Sequence, residues 1–113
     1  MKIYRTMPST EWEDIRNTKT YAPPELQKDG FIHLSYLHQV VEVANFLYPA
    51  HQDLLLLQIS GQNLSGLRAE DLYGYNEDFP HLYSPLPLNQ VESTHRLEWH
   101  HDTFMLPDTL PAP

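Results

Sequence analysis

The sequence contains no cysteine, which excludes disulfide bonds, thiolate catalysis and cysteine-ligated zinc and leaves stability to packing. Glycine is scarce, with Gly30, Gly61, Gly66 and Gly74 the only four, so no P-loop, dinucleotide-binding glycine motif or Gly-x-Ser-x-Gly elbow can be written anywhere in the chain. Positive charge is also short. Seven Lys and Arg face fifteen Asp and Glu, a net charge of −8 with histidines neutral, the reverse of what a protein that neutralises many phosphates carries. A long nucleic acid is therefore disfavoured as a partner. The richest apolar run, Leu54 to Leu57, is bounded by Asp53 and Gln58, far short of the roughly 18 residues of a bilayer-spanning segment. Met1-Lys-Ile-Tyr-Arg5 lacks the apolar region of a signal peptide. No membrane partner is expected, and the cytoplasm is the expected location.

What is present suffices for one folded unit. The chain has 113 residues, 41% hydrophobic and 12% aromatic, enough apolar surface for a single core and too much for general disorder. Six of the ten prolines fall in the last third, which cannot be helical for long. A single domain over residues 1–106 is expected, followed by a Pro-rich tail at 107–113 that frays. The charge is uneven: residues 70–113 hold eight acids against Arg96 alone, while residues 1–69 hold six basic and seven acidic side chains. An anionic ligand is expected to meet the N-terminal half.

Residues 2–7 alternate as a strand with Ile3, Arg5 and Met7 on one face. A helix is expected from Glu11, capped by Thr10 with Glu13 in capping-box spacing. Tyr21 to Gln27, with Pro23-Pro24, reads as extended, and Asp29-Gly30 as a turn before a strand over Phe31 to Ser35 that sets His33 and Ser35 on one face. Ser35 is placed to cap a helix carrying Leu37, Val40, Val41, Ala44, Leu47 and Tyr48 at helical spacing. The leucine run predicts a central strand buried on both faces. Leu67 to Leu72 reads as a short strand, Tyr73 to Asp78 as a mobile loop, Phe79 to Leu88 as extended and Val91 to Trp99 as one alternating strand. Strand and helix alternate only at the start, so a mixed α+β domain is expected.

Seven histidines invite a metal reading. On a strand, however, His95 and His101 share a face but lie about 20 Å apart, with His100 pointing away, and no His-x-x-x-His pair exists. No metal is expected. Glu70, Asp71, Glu77 and Asp78 offer carboxylates for acid–base work in a region where charged runs are usually solvated. Two segments stand out, Asp29-Gly-Phe-Ile-His-Leu-Ser35 and Phe79-Pro-His-Leu-Tyr-Ser-Pro-Leu86, each placing a histidine inside an apolar run. His33 with Ser35, and His81 with Tyr83, are either satisfied core groups or the floor of a cleft. Arg5, on an apolar strand face, must pair or reach water.

These segments, with Gln39-Val40, Ala44-Asn45-Phe46, Asp53-Leu54 and Leu67-Arg68-x-Glu70, resemble domain-of-unknown-function family nine-fifty-two across almost the whole chain. The resemblance implies an ADP-ribosyltransferase-like fold, a split and mostly antiparallel sheet with two or three helices, holding a cleft for NAD or a related nucleotide. It implies that Arg5, standing where the family usually has histidine, and His33 hold phosphate and ribose, that Ser35 orients ribose, and that His81 and Tyr83 complete the cleft. Ser84 replaces the family's glycine. For the catalytic carboxylate that this type of transferase uses, Glu92 is the nearest positional match and Glu70 the second. Two readings stay open: a small-molecule nucleotide bound with ADP-ribosyl or 2′-phosphate transfer, and a non-catalytic binding module on the same fold.

Overall fold

Alternation at the start of the chain becomes β1 (Lys2–Pro8), which in the computed structural model, describing residues 1–110, pairs antiparallel with β4 (Leu54–Ser60). Strand β4 pairs in turn with β8 (Val91–Arg96) and is central, as the leucine run requires. Its two faces feed two cores. Leu57 and Ile59 join Ile3, Met7, Ile32, Leu82 and Leu86, whereas Leu54 and Leu56 join Tyr4, Leu97, Phe104 and the Val40–Ala44 stripe of α3 (Val40–Leu47). Burying both faces explains why this strand reads as continuous apolar sequence.

A second antiparallel sheet runs β3 (Ile32–His33), β6 (Phe79–Leu82), β5 (Leu67–Glu70). The two sheets meet where Tyr4 and Ser35 exchange backbone hydrogen bonds of 2.8 and 2.9 Å. Two short antiparallel pairs complete the strands: the long-range pair β2 (Thr20–Tyr21) with β7 (Leu86–Pro87), and the hairpin β9 (Glu98–His100) with β10 (Thr103–Met105). With α1 (Ser9–Ile15), α2 (Pro24–Asp29) and α3, the chain is a single-domain α+β fold with antiparallel sheets and, among the described residues, three α-helices. No helix among the described residues is long and apolar enough to cross a membrane.

Several local expectations are corrected. The segment read as extended around Pro23-Pro24 contains α2, because Pro24 occupies the first helical position, where a missing N–H costs nothing, and Gly30 at φ 87° closes it in the left-handed region. Thr10 and Ser35 are not caps. The first helix begins at Ser9, whose hydroxyl instead donates to Asp53 at 2.7 Å. Before α3 the chain makes a 3-10 turn at Leu37–Gln39, where the Gln39 side chain accepts the Tyr36 N–H at 2.9 Å. The last alternating stretch divides at Leu97, which turns into the second core. The end expected to fray is packed over its described part: Pro107 is buried, Leu110 lies against the second core, and Thr109 meets His95 Nδ1 at 3.0 Å. Residues 111–113 lie outside the described residues.

Candidate functional site

Arg5 leaves β1 on the face of Ile3 and Met7 and enters the gap between the two sheets. Its guanidinium grips Glu25 of α2 bidentately, at 2.9 and 2.8 Å, and also donates to the His33 carbonyl at 2.9 Å and the Tyr21 hydroxyl at 3.2 Å. Glu25 accepts the His33 N–H as well, at 2.7 Å. The Arg5 side chain is 12% exposed and that of Glu25 21%. Burial alone would lower the Arg5 pKa and raise that of Glu25. Their mutual bond and charge reverse both, holding the guanidinium above its ordinary value and the carboxyl below the usual carboxylate range. Four of the five donors of Arg5 are thereby used, and the fifth, Nε, is buried without a partner among the described residues. The resemblance implies that Arg5 holds phosphate, but its fork already holds a carboxylate and is not free to grip one.

Beside this pair, β3 and β6 bring the two signature histidines together, since His33 and His81 are register partners with ring centroids 5.8 Å apart. A tyrosine from the loop after β5 joins them. His33 Nδ1 lies 2.5 Å from the Tyr73 hydroxyl, which lies 2.9 Å from His81 Nε2. The outer nitrogens face carboxylates, His33 Nε2 toward Asp29 at 3.0 Å and His81 Nδ1 toward Glu70 at 3.0 Å. The Tyr83 hydroxyl donates to the same Glu70 oxygen. The result is a continuous chain, Asp29, His33, Tyr73, His81, Glu70, Tyr83, crossing the second sheet. His81 is fully buried and stacks on Phe31 at 4.1 Å. The bond from Tyr83, then that from His81, holds the Glu70 carboxyl below its ordinary range.

The loop that delivers Tyr73, whose composition suggests mobility, is tied by hydrogen bonds at both ends. Asp71 accepts the backbone N–H groups of Tyr73, Gly74, Tyr75 and Asn76 at 2.9 to 3.3 Å. The left-handed Gly74 (φ 74°) and Asn76 (φ 56°) allow the chain to curl round that one side chain. These bonds, that of Tyr75 first, hold the Asp71 carboxyl below its ordinary value. At the other end Gln39, 3% exposed, donates to Glu77 at 2.7 Å and to the Asp78 carbonyl at 2.8 Å. Asp71→Ala is expected to cost little global stability, because these bonds compete with water. It is also expected to accelerate amide exchange at residues 73–76, which hydrogen exchange read by NMR checks. Unchanged protection there would show that the carboxylate does not order the loop.

Between this loop, α3 and the junction of the sheets lies a cleft of about 720 Å³. Its floor is Arg5, Glu25, His33 and Ser35, and one wall is α3 and its end, with Glu42, Phe46, Leu47 and Tyr48. The facing wall is Tyr73, Tyr75, Glu77 and Phe79. Of the expected site residues, Arg5, His33 and Ser35 thus line the cleft, and His81 stands behind His33 and Tyr73. Glu70 and Tyr83 are reached only through His81, and the Arg68 guanidinium covers the Tyr83 ring at 4.7 Å. Glu92 is elsewhere. It pairs with Lys2 at 2.6 Å and accepts from Gln58 at 3.3 Å, outside the cleft lining. Tyr73, Glu25 and Asp71, which the sequence reading did not single out as site residues, hold the cleft together.

The family described as "Protein of unknown function (DUF952)" matches residues 6–94, a span that takes in every cleft element except β1 as far as Arg5. The chain belongs to this family. Among solved structures it is similar to the CC0527 protein of Caulobacter crescentus. The crystal structure of that protein gives a TM-score of 0.81 at 29% identity, covering 93% of this chain and 94% of that one. A methionine-substituted double mutant gives 0.81 at 28% identity with the same coverage. The solution NMR structure gives 0.77 at 30% identity, covering 91% and 90%. No curated protein matches the chain.

Proposed function

We propose that the chain is a small-molecule-binding domain on an ADP-ribosyltransferase-like split sheet, and that its ligand is a nucleoside or nucleotide related to NAD, lodged in the cleft. The observation that carries this reading is the cleft itself: about 720 Å³, within the range of ligand pockets, with apolar and aromatic walls and a few fixed polar groups on its floor. Ser35 lines it with a hydroxyl that makes no hydrogen bond among the described residues, leaving it available to a ribose. The tyrosines of the two walls offer faces for a flat ring. Phosphates find less. The one lining cation, Arg5, is neutralised by Glu25, so affinity for an NAD-type molecule must come from rings and riboses.

The test is ligand-induced stabilisation by NAD, ADP-ribose, a 2′-phosphorylated nucleotide and the corresponding nucleosides at millimolar concentration. A ligand at one hundred times its Kd is expected to add about 2.7 kcal/mol. Melting temperatures unchanged by all of them would overturn the reading. Binding without turnover is favoured by one specific observation: Glu92 is tied to Lys2 outside the cleft, and Glu70 is occupied by Tyr83 and His81. Neither carboxylate is placed to stabilise positive charge developing on a ribose in the cleft. NAD hydrolysis that disappears in Glu70→Gln or Glu92→Gln would reverse this preference.

A further inference from the structure

The charges and rings of the cleft point to a more definite ligand class. With Arg5 and Glu25 cancelling each other, the remaining charged lining groups are the carboxylates Glu42 and Glu77. Glu77 uses Oε2 for both Gln39 and His38, while Oε1 has no partner among the described residues. On either side of Glu77 in sequence, three rings form an inclined corner. Tyr73 and Tyr75 are 5.6 Å apart, Tyr73 and Phe79 5.3 Å at 78°, and Tyr75 and Phe79 6.4 Å at 68°. Across the cleft Phe46 is 82% exposed, and Tyr75 is 63% exposed. Large aromatic surface is thus left in water beside a carboxylate, on a loop that Asp71 and Gln39 have already ordered.

Ring faces are negative and ring edges positive, so inclined aromatics beside a carboxylate favour a cation that sheds its water easily and needs no hydrogen bond. We propose that the cleft takes an organic cation, a small molecule whose quaternary or N-alkylated nitrogen rests against Tyr73, Tyr75 and Phe79 with Glu77 as its counter-charge. The proposal rests on the reading that the cleft is a ligand site, and it says which end of the ligand the site selects. A phosphate in the same place would meet two carboxylates and no unpaired cation.

Choline and its neutral isostere 3,3-dimethylbutan-1-ol differ in charge at the same shape, and they make the test direct. Choline is expected to raise the melting temperature saturably and to shift the amide resonances of residues 73–79, with sodium chloride at matched ionic strength giving neither effect. The neutral isostere is expected to do neither. Tyr75→Ala and Glu77→Gln, both surface changes, are each expected to weaken choline binding about two- to fivefold, seen in the resonance titration even if either variant is less stable. Equal responses to choline and its isostere would overturn the proposal in favour of a merely apolar pocket. No response to choline, with ADP-ribose, which carries no such nitrogen, still stabilising, would overturn it and leave the ligand site standing. Silence from every probe would remove both.

Discussion

Glu25→Ala is expected to destabilise the protein by about 3 kcal/mol, a fall in melting temperature on the order of 15 °C. The loss exceeds that of an ordinary surface ion pair because the partner left behind is a mostly buried guanidinium with no counter-charge, held only by the His33 carbonyl and the Tyr21 hydroxyl. It also frees the His33 N–H and unties α2 from β1, so the cleft floor loses its shape along with its charge balance. Thermal or urea unfolding measures the loss. Replacing Arg5 and Glu25 together with apolar residues of similar volume is expected to recover much of it, as for other buried pairs. A Glu25→Ala variant within about 0.5 kcal/mol of wild type would show that the pair does not hold α2 against β1. The same pair sets a pH dependence. Glu25 is held below its ordinary value in the folded chain, so it binds fewer protons folded than unfolded. Its contribution is present in full above the ordinary carboxylate range and is lost as pH falls through the depressed folded value. Glu25→Ala is therefore expected to flatten the acid limb of the stability profile, a result that acid titration of both proteins would show or deny.

Strands and cores were legible where one physical signal dominates. Alternation located β1 and put Arg5 on its apolar face, the unbroken leucines located the central strand, and helical spacing located α3. Boundaries failed where local chemistry competes. Pro23-Pro24 reads as extended until Pro24 is seen at the first helical position, and Asp29-Gly30 reads as a turn before a strand without showing that its glycine also ends a helix. Ser35 resembles a cap, but its backbone bridges to Tyr4 where the two sheets join, and it lines the cleft. The site was legible in part for the same reason. His33 and Ser35 lie two residues apart in one extended segment, although β3 itself ends at His33, so alternation pairs them, whereas Glu25 and Tyr73 come from other elements and depend on tertiary contacts that no local pattern carries. Asp71 could have been found. An aspartate followed by Gly74 and Asn76 has the composition of a loop that folds around its own carboxylate.

Tyr73 is the group on which both histidines depend, and its hydroxyl is expected to be worth about 2 kcal/mol. The reason is a count of protons. Asp29 and Glu70, as carboxylates, can only accept, so His33 Nε2 and His81 Nδ1 must donate to them. The two inner nitrogens then face a single phenol. Burial, then the nearby Glu25 and Asp29, push that phenol up to about 12, so it keeps its one proton. With one proton on each imidazole, Tyr73 can satisfy only one inner nitrogen at a time. A second proton on either ring completes the chain, that ring donating to the phenol oxygen while the phenol donates to the other. Tyr73→Phe removes donor and acceptor together and leaves nitrogens unpaired, among them that of the fully buried His81. It is expected to lower stability by that amount and to loosen the loop from β3 and β6, while the ring's packing against Phe79 is retained. Urea unfolding gives the energy, and ring-nitrogen NMR of the two histidines shows whether their protons redistribute. A phenylalanine variant as stable as wild type, with both imidazole spectra unchanged, would mean that the contacts across Tyr73 are near approaches and not hydrogen bonds.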